Sequence, residues 1–440
     1  METLLDLVRE LSFTRVGGSS EEMAAAEIIL REINLAGKEA GSGITGEFMP
    51  FKIPSADVEK CSVSAQGREI KSEPFLCSGD IDQECRLLYL GDAMEIDFAE
   101  LGDLSDTAVL LNGIRDEETF KRLVEHKAAA FLILQGKYYF SAEEASLYAR
   151  ALRPHLLRNG KIPGFIIAAG DAMTLVQEET QTIRLTLKQQ DVERDSRNVL
   201  AVIPGTRDTK EEIVLTAHYD SVPLGTGSWD NATGAAALLG IYRHFVLHPP
   251  KRTLRFLWCG SEEMGLLGSK AYVEQNESSL EQIKFCFNFD MCGTILGVNQ
   301  IIITGNNELE TYVDQYLKRT GYSARTTKGV HSSDSAPFCD KGIPALGLGR
   351  DTGTAEIHTI HDLLPTISDK ALRQNVDFAI RMVEDMANAA ILPIKREMPE
   401  ERKKELDKYF HRDTEKKTSS KIPSATEEVN GEKTENPKAE

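Results

Sequence analysis

Ile213-Val214-Leu215-Thr216-Ala217-His218-Tyr219-Asp220 is a short apolar run that ends abruptly in a histidine and an acid. Its length and its polar boundaries read as a strand. Downstream, Gly234 to Phe245 follows a helical pattern, Thr253 to Trp258 is a second strand, and another helix follows Gly265. The alternation extends through strands at Lys284 to Phe289, Ile301 to Thr304 and Ile343 to Leu348, with helices at Leu309 to Arg319 and Lys370 to Ala389. Val199 to Ile203 opens the series. This rhythm predicts one large α/β domain, a sheet layered between helices.

Toward the N-terminus, Ser19-x-x-Glu22 has the form of a capping box, with Ala26, Ile29, Leu30 and Ile33 at helical spacing before Gly37. From about Phe51 the texture changes to short apolar runs, Leu87 to Leu90, Ala108 to Leu111 and Ala130 to Leu134, separated by acidic turns. Thr119 to Ala129 is helix-like, and Ile162 to Ile167 and Ile183 to Leu187 close the region. The expectation is an inserted α+β, β-rich unit at residues 53–191, with 1–52 and 192–394 forming the α/β domain. Beyond Pro393 the apolar pattern stops, and residues 395–440 carry 12 basic and 12 acidic side chains. Such a stretch buries too little to offset its chain entropy, so a disordered tail is expected, with a transient helix at most over Glu400 to Phe410.

Of the 440 residues, 41% are hydrophobic and 27% charged, as in globular chains, which excludes wholesale disorder. A formal charge of −18 repels phosphate backbones and argues against nucleic acid as a partner. No run reaches the ~18 apolar residues of a membrane span. Acids at Glu2 and Asp6 stand where a secretory signal would be basic and then apolar, so a soluble, cytoplasmic protein is expected. The seven cysteines form no C-x-x-C pair and read as buried, reduced thiols; oligomeric state is left open.

Acids and histidines recur just after the strands: His218 and Asp220, then Glu262 and Glu263, then Asp290. In parallel α/β sheets these carboxyl ends converge on one crevice. Asp230-Asn231 lies in the glycine-rich loop Gly225 to Gly234 before a helix, and His358 follows the last strand. Carboxylates gathered in this way repel one another unless cations neutralise them. Imidazole and carboxylate donors without thiolates suit catalytic zinc. Taken singly, a His-x-Asp or a Glu-Glu is most often a surface pair, and Asp-Asn before glycine a turn. Their order at successive strand ends carries the inference.

The strings His218-Tyr219-Asp220-Ser221, Asp230-Asn231-Ala232-Thr233-Gly234, Gly260-Ser261-Glu262-Glu263-Met264-Gly265-Leu266-Leu267-Gly268-Ser269, Phe289-Asp290-Met291, Ser333-Asp334-Ser335-Ala336-Pro337-Phe338 and His358-Thr359 resemble the successive motifs of the co-catalytic zinc aminopeptidases. That family includes glutamate carboxypeptidase II and the transferrin receptors. The segment between the two parts of the α/β domain resembles, more weakly, a protease-associated domain. The resemblance implies two zinc ions: His218 and Asp290 on one, Glu263 and His358 on the other, with Asp230 bridging. It also implies Glu262 as the general base acting on a metal-bridging water, Asp220 as the acid orienting His218, and a cis peptide between Asp230 and Asn231. His361 is left without a required role. Met291, Trp229, Asp334 and Arg350 are candidate pocket residues, with packing the competing reading for Met291 and Trp229. His331 is a weaker pocket candidate. His126, His155, His244, His248 and His411 read as ordinary histidines.

The function expected is an aminopeptidase acting on peptides. A carboxypeptidase or dipeptidase would need a cation for the substrate carboxylate, for which Arg350 is the candidate. A glutaminyl cyclase of related fold usually keeps one zinc, and a silent receptor-like relative loses ligands that this sequence retains.

Overall fold

The computed structural model describes residues 3–114, 116–141, 143–353 and 357–412. The central strand, Glu212–His218, is buried along its whole length. It pairs in parallel with Thr253–Cys259 on one side and Ile283–Phe289 on the other. Ala345–Asp351 continues the parallel run, and Val298–Thr304 pairs antiparallel to it at the far side. The chain leaves Glu212–His218, forms the helix Thr233–Leu247, adds a strand on one side, and then crosses through the helix Leu267–Gln275 to the other side. The order reverses at Glu212–His218, and such a switch point opens a crevice at the carboxyl ends of the strands.

Helices cover both faces. Leu4–Leu11, Ser20–Glu39, Thr233–Leu247 and Asp369–Asn388 share one apolar cluster with one face of the sheet; Leu267–Gln275 and Ser335–Asp340 pack with the other. Leu4–Leu11 escapes the sequence reading and carries a true capping box, Thr3 with Asp6. At Ser20–Glu39 the box expected from Ser19 and Glu22 is only half formed. Ser19 accepts the Glu22 amide, but the Glu22 carboxylate turns inward to Gly18, Ser196 and Ser261.

No turn occurs at residues 52–53 or 191–192. Glu47–Ala65 and Thr182–Ile203 form one long antiparallel ribbon, paired from Glu47 and Leu200 to Ser64 and Arg184. At one end Thr182–Ile203 pairs with Thr253–Cys259, and at the other with Ile81–Gly91, which continues into the parallel strands Thr107–Leu111, Ala130–Gln135 and Gly164–Ala168. This second region buries two apolar clusters of its own, around Phe120 and Phe131 and around Leu110 and Phe165.

Residues 395–412 depart from the disorder expected of them. Glu400–Tyr409 is a helix with Leu406 2% exposed and Arg402 8%. Met398, Arg402, Leu406 and Phe410 recur every four residues, so a highly charged segment still presents one packing face. The helix is fixed by Glu405 accepting the Val330 amide at 3.0 Å, by the Tyr409 and Ser332 hydroxyls at 2.8 Å, and by Arg412 on Asp340. The remainder of the expected tail, 413–440, lies outside the described residues. Among the described residues, no helix is long and apolar enough to cross a membrane. All seven cysteines are free thiols, six of them buried.

Candidate active site

His218 is the last residue of the central strand, so its ring emerges at the switch point. Its Nε2 lies 3.1 Å from Asp230 Oδ1 and 3.4 Å from Asp290 Oδ1. His358 Nε2 lies 3.2 Å from the other oxygen of Asp230 and 2.9 Å from Glu263 Oε2. Asp230 therefore stands between two imidazoles, and His218-Asp230-Asp290 and Asp230-Glu263-His358 each converge ligand atoms closely enough to hold an ion. His361, three residues on, is exposed and belongs to neither group.

Three polar atoms here are buried without a hydrogen-bond partner: His218 Nδ1, Glu263 Oε1 and Asp290 Oδ1. Buried polar groups are normally satisfied, so this concentration of orphans marks a place built for a further group. The electrostatics agree. Burial pushes Glu263 up to about 7, helped by Asp230. Burial opposes charge on His218, yet the surrounding carboxylates hold its pKa well above the ordinary imidazole value. Glu262 is also raised, by burial first and then by Glu263, Asp334 and Asp290, with His218 opposing.

The second row of residues is as specific as the first. Asp220 accepts the amides of Glu262 and Glu263 at 2.9 and 3.1 Å, holding the turn that presents both acids. Its Oδ1 stands 3.5 Å from His218 Nδ1, beyond hydrogen-bond range, so it faces the far nitrogen without binding it. The Asp230–Asn231 peptide is cis. Asn231 braces the loop through Phe289 O at 3.0 Å and the Gly234 and Met291 amides at 2.8 and 3.1 Å. Two fixing residues were missed from sequence. Asp362, 3% exposed, accepts the amides of Trp229 and Asp230. Arg15, fully buried, donates to Thr226 O and Gly227 O at 2.8 and 2.7 Å. The spacing of Asp362 after His358 was a usable signal; an arginine in an N-terminal loop carries none.

The pocket candidates divide. The acids and histidines line a cavity of about 960 Å³ shared with residues 112–114 and 116 and with residues 148–153, 155 and 156, and Met291 lies on its wall. Trp229 is 4% exposed in the core with its indole N–H on Met291 O, and it borders a side cavity of about 50 Å³ together with Asp290, Met291, His331 and Arg350, not the large one. Arg350 spends Nε on Thr294 O and Nη1 on Asn299 Oδ1. Asp334 is 1% exposed and lines neither cavity, which corrects its place among the pocket residues. It precedes Ser335–Asp340 at the N-cap position without a side-chain capping bond, and burial raises its carboxyl to about 6. His155 and His411, read as ordinary, do line the large cavity, with their rings stacked at 3.7 Å.

Residues 198–383, which hold the acids and histidines of both ligand groups together with Asp220 and Glu262, match the model of peptidase family M28. The match is to this segment, somewhat less than half of the chain. Among M28-like relatives, aminopeptidase YwaD of Bacillus subtilis is 29% identical over 251 residues, 54% of each chain. A probable leucine aminopeptidase 2 of Trichophyton verrucosum is 31% identical over 35% of this chain and 34% of its own. The chain thus spans about half, or less, of the length of the curated relatives it matches. The fold extends further. The solved structure of BSAP, a zinc aminopeptidase from Bacillus subtilis, superposes with a TM-score of 0.72 over 90% of this chain and 98% of that one, at 23% identity.

Proposed function

We propose that this chain is a zinc-dependent aminopeptidase of the M28 type that removes N-terminal residues from peptides. The observation that carries the reading is the pair of ligand groups sharing Asp230. Their donors, two imidazoles and three carboxylates with no thiolate, fit zinc in an open, catalytic setting, and the orphaned oxygens of Glu263 and Asp290 are the atoms an ion would satisfy. His218, Asp290 and Asp230 would hold one ion, and Asp230, Glu263 and His358 a second. Bound zinc supplies a Lewis acid and makes water acidic near neutral pH.

Glu262 lies on the cavity wall, on a turn fixed by Asp220, with its pKa raised well above the ordinary carboxyl value by burial. A carboxyl tuned in this way takes a proton from water and returns it to the departing amine. The acid-rich floor favours a positively charged amino terminus. The free thiols support a reducing, cytoplasmic setting, and a likeness of the region between the two ribbon strands to protease-associated domains remains part of this reading.

Parallel assays with leucinamide and N-acetyl-leucinamide test it. Hydrolysis of the first and not the second is expected. Cleavage of N-blocked peptides from the carboxyl end would favour the carboxypeptidase alternative.

A further inference from the structure

The large cavity has two electrostatic ends. Its floor gathers Asp230, Glu262, Glu263 and Asp290, whereas the wall contributed by residues 148–156 brings in Arg150 and Arg153. In a chain of charge −18, two arginines facing a catalytic acid cluster require a reason. Arg153 forms no side-chain hydrogen bond or ion pair among the described residues, and its guanidinium hangs over Gly265. A Cβ placed on Gly265 would lie 2.5 Å from Arg153 Nη1, and with φ +115° this glycine adopts a backbone that disfavours any side chain, so the guanidinium rests directly over the main chain. Gly265 donates its amide to Glu262 O at 2.7 Å, so Arg153 overhangs the turn that carries Glu262.

Arg150 is more constrained. It donates to Gln135, stacks over the Tyr148 ring at 4.6 Å, and keeps a buried Nε without a partner. Lys270 Nζ is turned to Gly265 O at 2.9 Å. His155 and His411, stacked beside Arg153, have pKa values lowered by burial and add no charge at neutral pH. The nearby acid Asp116 is engaged in capping the helix Glu117–Glu125. Arg153 is therefore the free cation of this wall.

Position decides what it would meet. Resting on the proposed role of Glu262 as the group that protonates the departing amine, the leaving portion of the substrate lies on Glu262's side of the cavity. We infer that Arg153, supported by Arg150, is a carboxylate subsite for the leaving group, and that the substrates are short peptides whose C-terminal carboxylate falls one or two residues beyond the scissile bond. A guanidinium offers two parallel N–H donors to a carboxylate, a geometry that an amide end cannot match.

The test compares kcat/KM for Leu-Gly, Leu-Gly-amide and Leu-Asp-amide in the wild type, Arg153→Ala and Arg153→Lys. The wild type should prefer Leu-Gly over its amide. In Arg153→Ala that preference should fall by about tenfold, the loss of one charge-assisted contact, with partial recovery in Arg153→Lys. A wild type that cleaves both with a ratio Arg153→Ala leaves unmoved overturns the subsite and leaves the aminopeptidase reading standing. Dependence on Arg153 confined to Leu-Asp-amide overturns the chain-end carboxylate as its ligand. A wild type that cleaves none of the three overturns both readings.

Discussion

Asp362 holds Asp230 by its backbone: the carboxylate accepts the amides of Trp229 and Asp230 at 2.7 and 2.9 Å across 133 and 132 residues of sequence. The side chain standing between two imidazoles is thus set by an acid that touches neither. Such outer partners are typically worth ~10–100-fold in metal affinity or activity. Asp362→Ala should weaken zinc binding by that order, read by competition with a chromogenic chelator. Wild-type affinity would show that the loop holds its shape without it.

Glu262→Gln should lose at least ~100-fold in kcat, because the amide keeps the shape of the carboxyl but cannot take a proton. Bound metal, counted by elemental analysis, should be unchanged, since Glu262 belongs to neither ligand group. A near wild-type kcat would move the base elsewhere.

Much of this arrangement was legible in the sequence, and the reasons differ by region. Strand ends announce themselves where an apolar run meets an acid or histidine, which is how His218, Glu262, Glu263 and Asp290 could be brought to one crevice before any coordinates. Residues acting through the backbone left weaker traces. Arg15 reads as an ordinary loop arginine, and nothing local says that it will be buried against the 226–227 carbonyls. Averaged composition misled at the C-terminus, where charge hides the four-residue spacing of Met398, Arg402, Leu406 and Phe410. The ribbon also defeated a local reading, because residues 52–53 and 191–192 are ordinary strand positions and the change of texture there is a change of neighbours, not of backbone.

Leu406 anchors the C-terminal helix in the cluster around Tyr272 and Phe338. Leu406→Ala should cost about 2–5 kcal/mol in urea unfolding, as buried leucine truncations do. An unchanged midpoint would mean that the helix does not contribute to the folded state in solution.

Glu22 gives the pH dependence a direction. Burial, with Asp220 adding, raises its carboxyl from 4.5 to about 7. The folded state therefore holds a proton that the unfolded chain releases, and stability from this group is full below pH 4.5 and is lost as pH rises through about 7. The shift corresponds to roughly 3 kcal/mol. Glu22→Gln should flatten the fall in stability between these pH values; the same slope in both proteins would assign it to other groups.

Metal removal followed by zinc titration tests the central claim most directly. Chelator-treated protein should release no leucine from leucinamide, and activity should return as zinc is added, reaching its plateau at two ions per chain by elemental analysis of the same sample. Full activity in protein shown to be free of metal would contradict the account.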